Sequence, residues 1–297
     1  MVVVFGSINL DLVAQVDRIP APGETLAGHS FNCAPGGKGA NQALAALRAG
    51  AQVKLFGAVG IDTFAAAALE NLETSGVDLT GVVAVDAPTG VALIHVDARG
   101  ENAITVIAGA NGAARAAQVP DAVLVQATTL VLQLEVPLDE VAQLVSRAGG
   151  ARVILNAAPA AALPEDLLRQ VDTLIVNETE AAIVGAEHGL PTAVDQFSKA
   201  AAARYQCTVV VTQGPRGAIA VHGDETVAVA APPTTVVDTT GAGDALVGAF
   251  AAALDRGASL RQALTEGVAA GSLACTGRGA QAALPARSAI ARLAATL

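Results

Sequence analysis

The sequence predicts a doubly wound α/β fold: a mostly parallel sheet flanked by helices, with a small antiparallel β lid. Three observations carry this. Short β-branched runs alternate with Ala- and Leu-rich stretches, most of the runs are apolar on both faces, and polar or glycine-rich clusters follow several of them. Strands without a polar face belong in parallel sheets covered by helices on both sides. In such sheets, ligands lie beyond the carboxyl ends of the strands.

Residues 2–5 (Val-Val-Val-Phe) read as a first strand rather than a leader, since no basic segment precedes Asp11 and Asp17. An Ala/Leu-rich helix is expected at 38–48, a strand at 53–57 and a helix at 64–75. Residues 89–107 break the alternation. Gly-Val-Ala-Leu-Ile-His-Val and Ala-Ile-Thr-Val-Ile flank the turn-rich Asp-Ala-Arg-Gly-Glu-Asn, which is a hairpin pattern. Residues 26–34 add a strand to the same small sheet, so lid strands are inserted near 12–35 and 89–108. The alternative is an edge extension of the main sheet. Strands are then expected at 130–134, 152–156, 173–176 and 208–212, with helices at 138–148, 193–205 and 244–255. No repeat or linker divides the chain, so 1–297 reads as a single domain.

Composition narrows the function. With 17 Lys+Arg against 27 Asp+Glu the net charge is −10, which argues against a nucleic-acid binder built on a basic patch. At 53% hydrophobic and 15% charged residues the chain is not disordered. Its apolar stretches fall short of the about 20 residues a membrane span needs. Cys33, Cys207 and Cys275 are odd in number, far apart and without CxxC spacing. Neither a zinc site nor a disulfide framework is supported, and a soluble cytoplasmic protein is expected.

Four clusters carry chemistry. Val236-Val-Asp-Thr-Thr-Gly-Ala-Gly-Asp-Ala-Leu246 leads into an apolar helix. Gly241, Ala242 and Gly243 are small enough to let backbone amides at a helix N-terminus approach a phosphoryl group. Asp244 in the first turn is placed to accept a proton from a hydroxyl nucleophile, although first-turn acids are also ordinary helix starters. Ala34-Pro-Gly-Gly-Lys-Gly-Ala-Asn-Gln-Ala43 fits neither a P-loop nor GxGxxG. It opens a tight turn that brings amides and Asn41 against a small polyol, or it is a plain glycine lead-in to a helix. Asn177-Glu-Thr-Glu180 follows an apolar run and reads either as a magnesium or phosphate segment or as a capping box. Asn9 and Asp11, two apart on an extended segment, point to one side and can grip adjacent hydroxyls. Glu135 closes another apolar run, and Thr212-Gln-Gly-Pro-Arg-Gly217 is either a nucleotide-facing loop or a turn.

Together these clusters resemble the ribokinase (PfkB) family of carbohydrate kinases, from Gly6 to about Pro285. The resemblance implies phosphoryl transfer from MgATP to the 5-hydroxyl of ribose, with Asp244 as base and Gly241, Ala242 and Gly243 as anion hole. It assigns the sugar to Asn9, Asp11, Gly37, Lys38, Gly39, Ala40, Asn41 and Glu135. It assigns ATP and Mg²⁺ to Asn177 and Glu180. Nucleotide contacts fall to Thr212, Gln213, Gly214, Pro215, Arg216, Gly217 and Val268. A monovalent cation (K⁺) would rest on Asp238 and on backbone oxygens of Thr240, Ala274, Gly277 and Gly279. Pairing of lids implies a homodimer. Two positions depart from the family pattern: Ala283 stands where a serine is expected, and Val268 where a polar residue is expected beside adenine. A same-fold kinase for deoxyribose, a nucleoside or a ketose shares these motifs. So does a catalytically silent sugar-binding regulator, against which the intact Gly241–Asp244 cluster speaks.

Overall fold

Alternate residues of the first strand bury in opposite directions. Val2 and Val4 enter one core while Val3 and Phe5 enter the other. This is the behaviour of a strand sandwiched between helical layers. The computed structural model describes residues 1–297. Its elements run β1 (Val2–Phe5), β2 (Asn9–Gln15), β3 (Ser30–Gly36), α1 (Lys38–Arg48), β4 (Val53–Gly60), α2 (Thr63–Ser75), β5 (Asp78–Val85), β6 (Gly90–Val96) and β7 (Asn102–Ile107). The chain continues through α3 (Asp121–Gln126), β8 (Thr129–Leu132), α4 (Leu138–Ser146), β9 (Arg152–Asn156), α5 (Glu165–Leu168), β10 (Thr173–Asn177), α6 (Glu178–Glu187), α7 (Val194–Tyr205) and β11 (Thr208–Thr212). Last come β12 (Ala218–His222), β13 (Glu225–Val229), α8 (Ala242–Asp255), α9 (Leu260–Ala274) and α10 (Arg287–Ala294).

The large sheet has the order β13-β12-β11-β10-β9-β8-β1-β4-β5. All neighbours are parallel from β11 to β5, and β12 and β13 form an antiparallel edge hairpin. Helices α1, α2, α8, α9 and α10 cover one face, and α3 to α7 cover the other. The chain winds outward from β1 first through β4 and β5 and later through β8 to β11. A crevice therefore opens beyond the carboxyl ends of β1 and β8, the usual ligand position in such sheets.

The second sheet has the order β3-β2-β6-β7. Its outer pairs are antiparallel, and its central pair, β2 with β6, is parallel because both strands leave the main body in the same direction. It is a separate sheet and not an edge extension of the large one. Its third-strand boundary differs from expectation: β3 runs Ser30–Gly36 rather than 26–34, because Asn9 pairs with Gly36 and draws the strand to the root of the lid. No helix is long and apolar enough to cross a membrane.

Local chemistry explains the helix starts that matter for the site. Helix α6 opens on the capping box Asn177/Glu180, in which each side chain accepts a hydrogen bond from the other residue's backbone N–H, both at 2.8 Å. Helix α8 starts two residues before the expected 244, from Gly241 at φ 75°, a left-handed conformation natural to glycine. A Cβ there would also lie 2.8 Å from the Ala280 backbone. Helix α1 starts after Gly37 at φ 89°. Gly248 lets α8 press on α1, since a Cβ there would sit 2.5 Å from that of Ala45.

Candidate active site

Asp244 lies in the first turn of α8, at the carboxyl edge of the large sheet, and is buried. Its Oδ2 accepts a hydrogen bond from Asn41 Nδ2 (2.9 Å) and its Oδ1 accepts one from Gln42 Nε2 (2.8 Å). Both donors come from adjacent residues near the start of α1, so the carboxylate is gripped where the N-terminal ends of two helices meet. Burial raises the Asp244 pKa, and the Lys38 charge and the two amide donors pull it back.

Lys38 is the only cation among the acids. Burial would lower its pKa, but the charges of Asp244, Glu135 and Glu180 outweigh this and raise it. Its backbone N–H donates to Glu135 Oε2 at 3.2 Å, and Ser7 Oγ donates to the same oxygen at 2.6 Å. On the lid side stands Asp11. Burial first, then the charges of Glu135 and Asp244, push its carboxyl up to about 7. Gly36 makes room for this group, because a Cβ there would fall 2.4 Å from Asp11 Oδ1. Asn9 is buried, and its Oδ1 accepts from Asn111 Nδ2 at 2.7 Å. Asn111 Oδ1 in turn accepts the Ile8 N–H at 2.8 Å.

Two adjoining hollows lie beside these groups; Lys38 and Asp244 line the smaller one, whereas Asn9, Asp11, Asn41 and Glu135 line neither. A small one of about 140 Å³ is lined by Lys38, Asn156, Asn177, Glu180, Gly241 and Asp244, among others. A groove of about 670 Å³ lies beside it, bounded by Gly214, Pro215 and Gly217, by residues 231–234, and by Leu246 and Val268. Thr212 and Gly243 border both. A Cβ added at Gly243 would meet nothing, so its backbone faces open space at the junction.

The expected site residues separate by position. Asp244, Gly241, Gly243, Lys38, Asn177, Glu180 and Thr212 converge on the small hollow, while Ala242, Gly214, Pro215, Gly217 and Val268 converge on the groove. Gly39 and Ala40 instead pack the start of α1 onto the chain after β1: a Cβ on Gly39 would lie 2.5 Å from Gly6, and the Ala40 N–H donates to Ser7 O at 2.9 Å. Gln213 and Arg216 line neither hollow; Arg216 forms an ion pair with Glu178. The cation residues meet behind Gly241. Asp238 Oδ1 accepts from Thr240 N (2.9 Å) and Thr240 Oγ1 (2.6 Å), and its Oδ2 accepts from Gly279 N (2.9 Å). Burial raises the pKa of Asp238, but these donors more than reverse it and keep it low. The Ala274 carbonyl accepts from Gly277 N at 3.4 Å, and Cys275 O accepts from Asp238 N at 3.3 Å, which closes the end of α9 against this turn.

Ser7 and Gln133 lie in stretches that carry the resemblance, 6–11 and 133–135, but received no role from the sequence, and Asn111 and Asn156 were missed. Ser7 and Asn156 had a signal, since each is polar and directly follows or ends an apolar strand. Residues 231–234, Ala-Pro-Pro-Thr, were missed for lack of any charged or glycine-rich mark.

Comparison with known proteins places the chain by family and fold. The model of the pfkB family of carbohydrate kinases matches residues 1–287. The chain is 37% identical to the ribokinase of Bacillus subtilis, covering 98% of both chains. It is 35% identical to a deoxyribokinase of Salmonella typhi, over 96% of this chain and 95% of that one. The crystal structure of ribokinase from Thermotoga maritima superposes with a TM-score of 0.92 at 32% identity, covering 98% of each chain. Arabidopsis thaliana ribokinase complexed with ribose and ATP superposes with a TM-score of 0.89 at 31% identity, over 99% and 98%. A mostly parallel sheet with its acids at the crevice and a lid above them defines an α/β small-molecule kinase. Within that class, the chain belongs to the pfkB family of carbohydrate kinases.

Proposed function

We infer that this chain transfers the γ-phosphoryl group of ATP to the 5-hydroxyl of D-ribose, giving ribose 5-phosphate and ADP. The observation that carries the reading is Asp244, buried and doubly hydrogen-bonded in the wall of the small polar hollow, next to Gly243, which borders both that hollow and the larger groove. The relatives named ribokinase support the reaction, and the Arabidopsis complex supports the pair of substrates.

Phosphoryl transfer asks the protein mainly for positioning and charge stabilisation. Asn9, Asp11, Asn41 and Glu135 would hold the sugar hydroxyls beneath the lid and aim the 5-hydroxyl at Asp244. Asp244 takes the hydroxyl proton as the new P–O bond forms. The amides of Ala242 and Gly243 at the N-terminus of α8 face the charge that develops on the γ-phosphoryl oxygens. The groove along Val268 takes the base and ribose of the nucleotide. Its apolar wall suits an adenine, and Val268 offers no hydrogen bond to it.

The donor sets fit the two cations. Magnesium usually takes one or two carboxylates plus substrate phosphates. Glu180 is such a carboxylate, with Oε2 used by the capping box and the small hollow in front of it. The divalent ion would spread phosphate charge. A potassium ion suits Asp238, whose fixed low-pKa carboxylate sits against the carbonyl-bearing turns of Thr240, Ala274, Gly277 and Gly279. It would strengthen the positive field behind the anion hole.

A homodimer through the lids completes the reading. Ile104 and Val106 are 52% and 50% exposed and share the Asp11 face of the small sheet. A second lid would cover them.

The test is ADP release with MgATP and ribose, deoxyribose, fructose or adenosine, each with and without potassium. Ribose-dependent turnover is expected to exceed the others. Preference for deoxyribose would transfer the assignment to the activity that the Salmonella relative carries in its name, and no turnover with any substrate would overturn the kinase reading.

A further inference from the structure

Gln42 is fully buried, one residue beyond Asn41, and out of reach of any ligand in either hollow. Its side-chain amide is nevertheless committed at every polar atom but one lone pair. The two Nε2 hydrogens go to Asp244 Oδ1 (2.8 Å) and Asn156 Oδ1 (3.0 Å), and Oε1 accepts from Gln133 Nε2 (2.7 Å). Asn156 is itself oriented, because its Nδ2 donates to the Ile175 carbonyl at 3.1 Å. Turning the Gln42 amide over would set its oxygen against two acceptors and its NH₂ against the NH₂ of Gln133. The amide therefore has one orientation, enforced by the two acceptors Asp244 and Asn156, and Gln133 donates to the oxygen that this leaves.

This matters for a base. A carboxylate buried beside Glu135 and Lys38 can rotate about χ2 and turn its free lone pair away from the incoming hydroxyl. Asn41 alone would leave one Asp244 oxygen untethered. A donor on Oδ1 as well fixes the plane of the group. The close approach of α8 to α1 at Gly248, one turn beyond Asp244, brings the Gln42 backbone within reach, since a Cβ on Gly248 would lie 2.7 Å from Gln42 O.

We propose that Gln42 is the positioning residue of this kinase's base, holding the Asp244 carboxylate in its reactive orientation through an amide relay anchored by Gln133 and Asn156. The proposal rests on the reading of Asp244 as base. A hydrogen bond to a buried charged group corresponds to about tenfold to a hundredfold in rate when its effect is confined to the chemical step. The same bond opposes the effect of burial on Asp244, so its loss also raises the pH at which the base becomes active.

Gln42→Leu removes both donors, and Gln42→Glu keeps the shape while placing a second carboxylate against Asp244. With ribose and MgATP, both variants are expected to lower kcat by about tenfold to a hundredfold, with KM for each substrate changed less than about threefold. Gln42→Glu should also move the acidic limb of the kcat–pH profile upward by about one unit or more. Sugar binding by calorimetry and the melting curve report that the fold is intact. Unchanged kcat and pH profile in folded variants would overturn the proposal, as would a loss expressed only in KM. If neither variant folds, Gln133→Met loosens the relay without touching Asp244. It should lower kcat at unchanged KM, and an unchanged kcat overturns the proposal equally. Asp244→Ala separates the two readings. If that variant turns over normally, Asp244 is not the base; if it is inactive while Gln42 variants are normal, only the role of Gln42 fails.

Discussion

Removing the charge of Asp11 should stabilise the sugar-free protein while destroying its use. Asp11 is an acid held in unfavourable surroundings, buried and facing the charges of Glu135 and Asp244, with its pKa raised from 3.8 to about 7. At about 1.36 kcal/mol per unit, that rise corresponds to roughly 4 kcal/mol against ionising it in the folded state. The sign follows from proton counting. Below pH 3.8 the carboxyl is protonated in both folded and unfolded chains and adds no penalty. Between 3.8 and about 7 only the unfolded chain has released its proton, so stability falls as pH rises, and above about 7 the full penalty is present. Asp11→Asn keeps the shape without the charge. At pH 8 it should melt above the wild type by several degrees, at about 2 °C per kcal/mol for a chain of this size, and the gap should close on approach to pH 4. Ribose affinity in the variant should collapse. In the wild type, affinity should fall about tenfold per pH unit below 7, because the sugar hydroxyls need the ionised acceptor. Differential scanning calorimetry from pH 4 to 8, with titration calorimetry for ribose, reads both. A gap that does not vary with pH, or no stabilisation at pH 8, would refute the argument.

Four further outcomes follow from the geometry. Asp244→Ala should reduce turnover by at least about a hundredfold while ribose binding by calorimetry stays measurable; normal turnover would remove Asp244 as base. Gly243→Ala meets no protein atom and should leave the melting temperature unchanged while sharply lowering kcat, because its methyl occupies the approach of the phosphoryl group. Gly241→Ala should instead destabilise the fold by about 1–3 kcal/mol, through its positive φ and the Ala280 backbone; if the two glycine variants behaved alike by melting and kinetics, the anion-hole assignment would fall. Ile104→Asp, on the exposed lid face, should convert the proposed dimer to a monomer by light scattering, and an unaltered mass would place the interface elsewhere.

The parts of the molecule readable in the sequence are those governed by neighbours along the chain. The bounds of β1, β9, β11 and α1 coincide with the expected 2–5, 152–156, 208–212 and 38–48. In these segments hydrophobic pattern and local propensity agree, and burial on both faces leaves no competing register. Strand β5 escaped because it is half exposed and broken by Gly81, which is there to admit the Phe56 ring: a Cβ would lie 2.3 Å from it. Helix α9 had a legible start in the Ser259/Gln262 capping box. The β12–β13 hairpin likewise had Gly223-Asp224 between two apolar runs.

Active-site chemistry divides along the same line. The acids that act on a ligand sit in short motifs, and so Asp11, Glu135, Asp238 and Asp244 could be singled out singly. What tunes them cannot be read locally. Gln42 lies 91 residues from Gln133, 114 from Asn156 and 202 from Asp244. These four meet only because β1, β8 and β9 are adjacent in the sheet and α8 packs on α1. An uncharged amide at the end of the glycine-rich cluster carries no sign in the sequence of which group it will face, yet it fixes the orientation and moderates the proton affinity of the group that a motif alone would name as the base. The same holds for Asp11, whose carboxyl is ordinary in the sequence and raised to about 7 only by acids that the fold brings to it. The reactivity of this site is therefore a property of sheet order and helix packing, and its motifs record only where that reactivity is delivered.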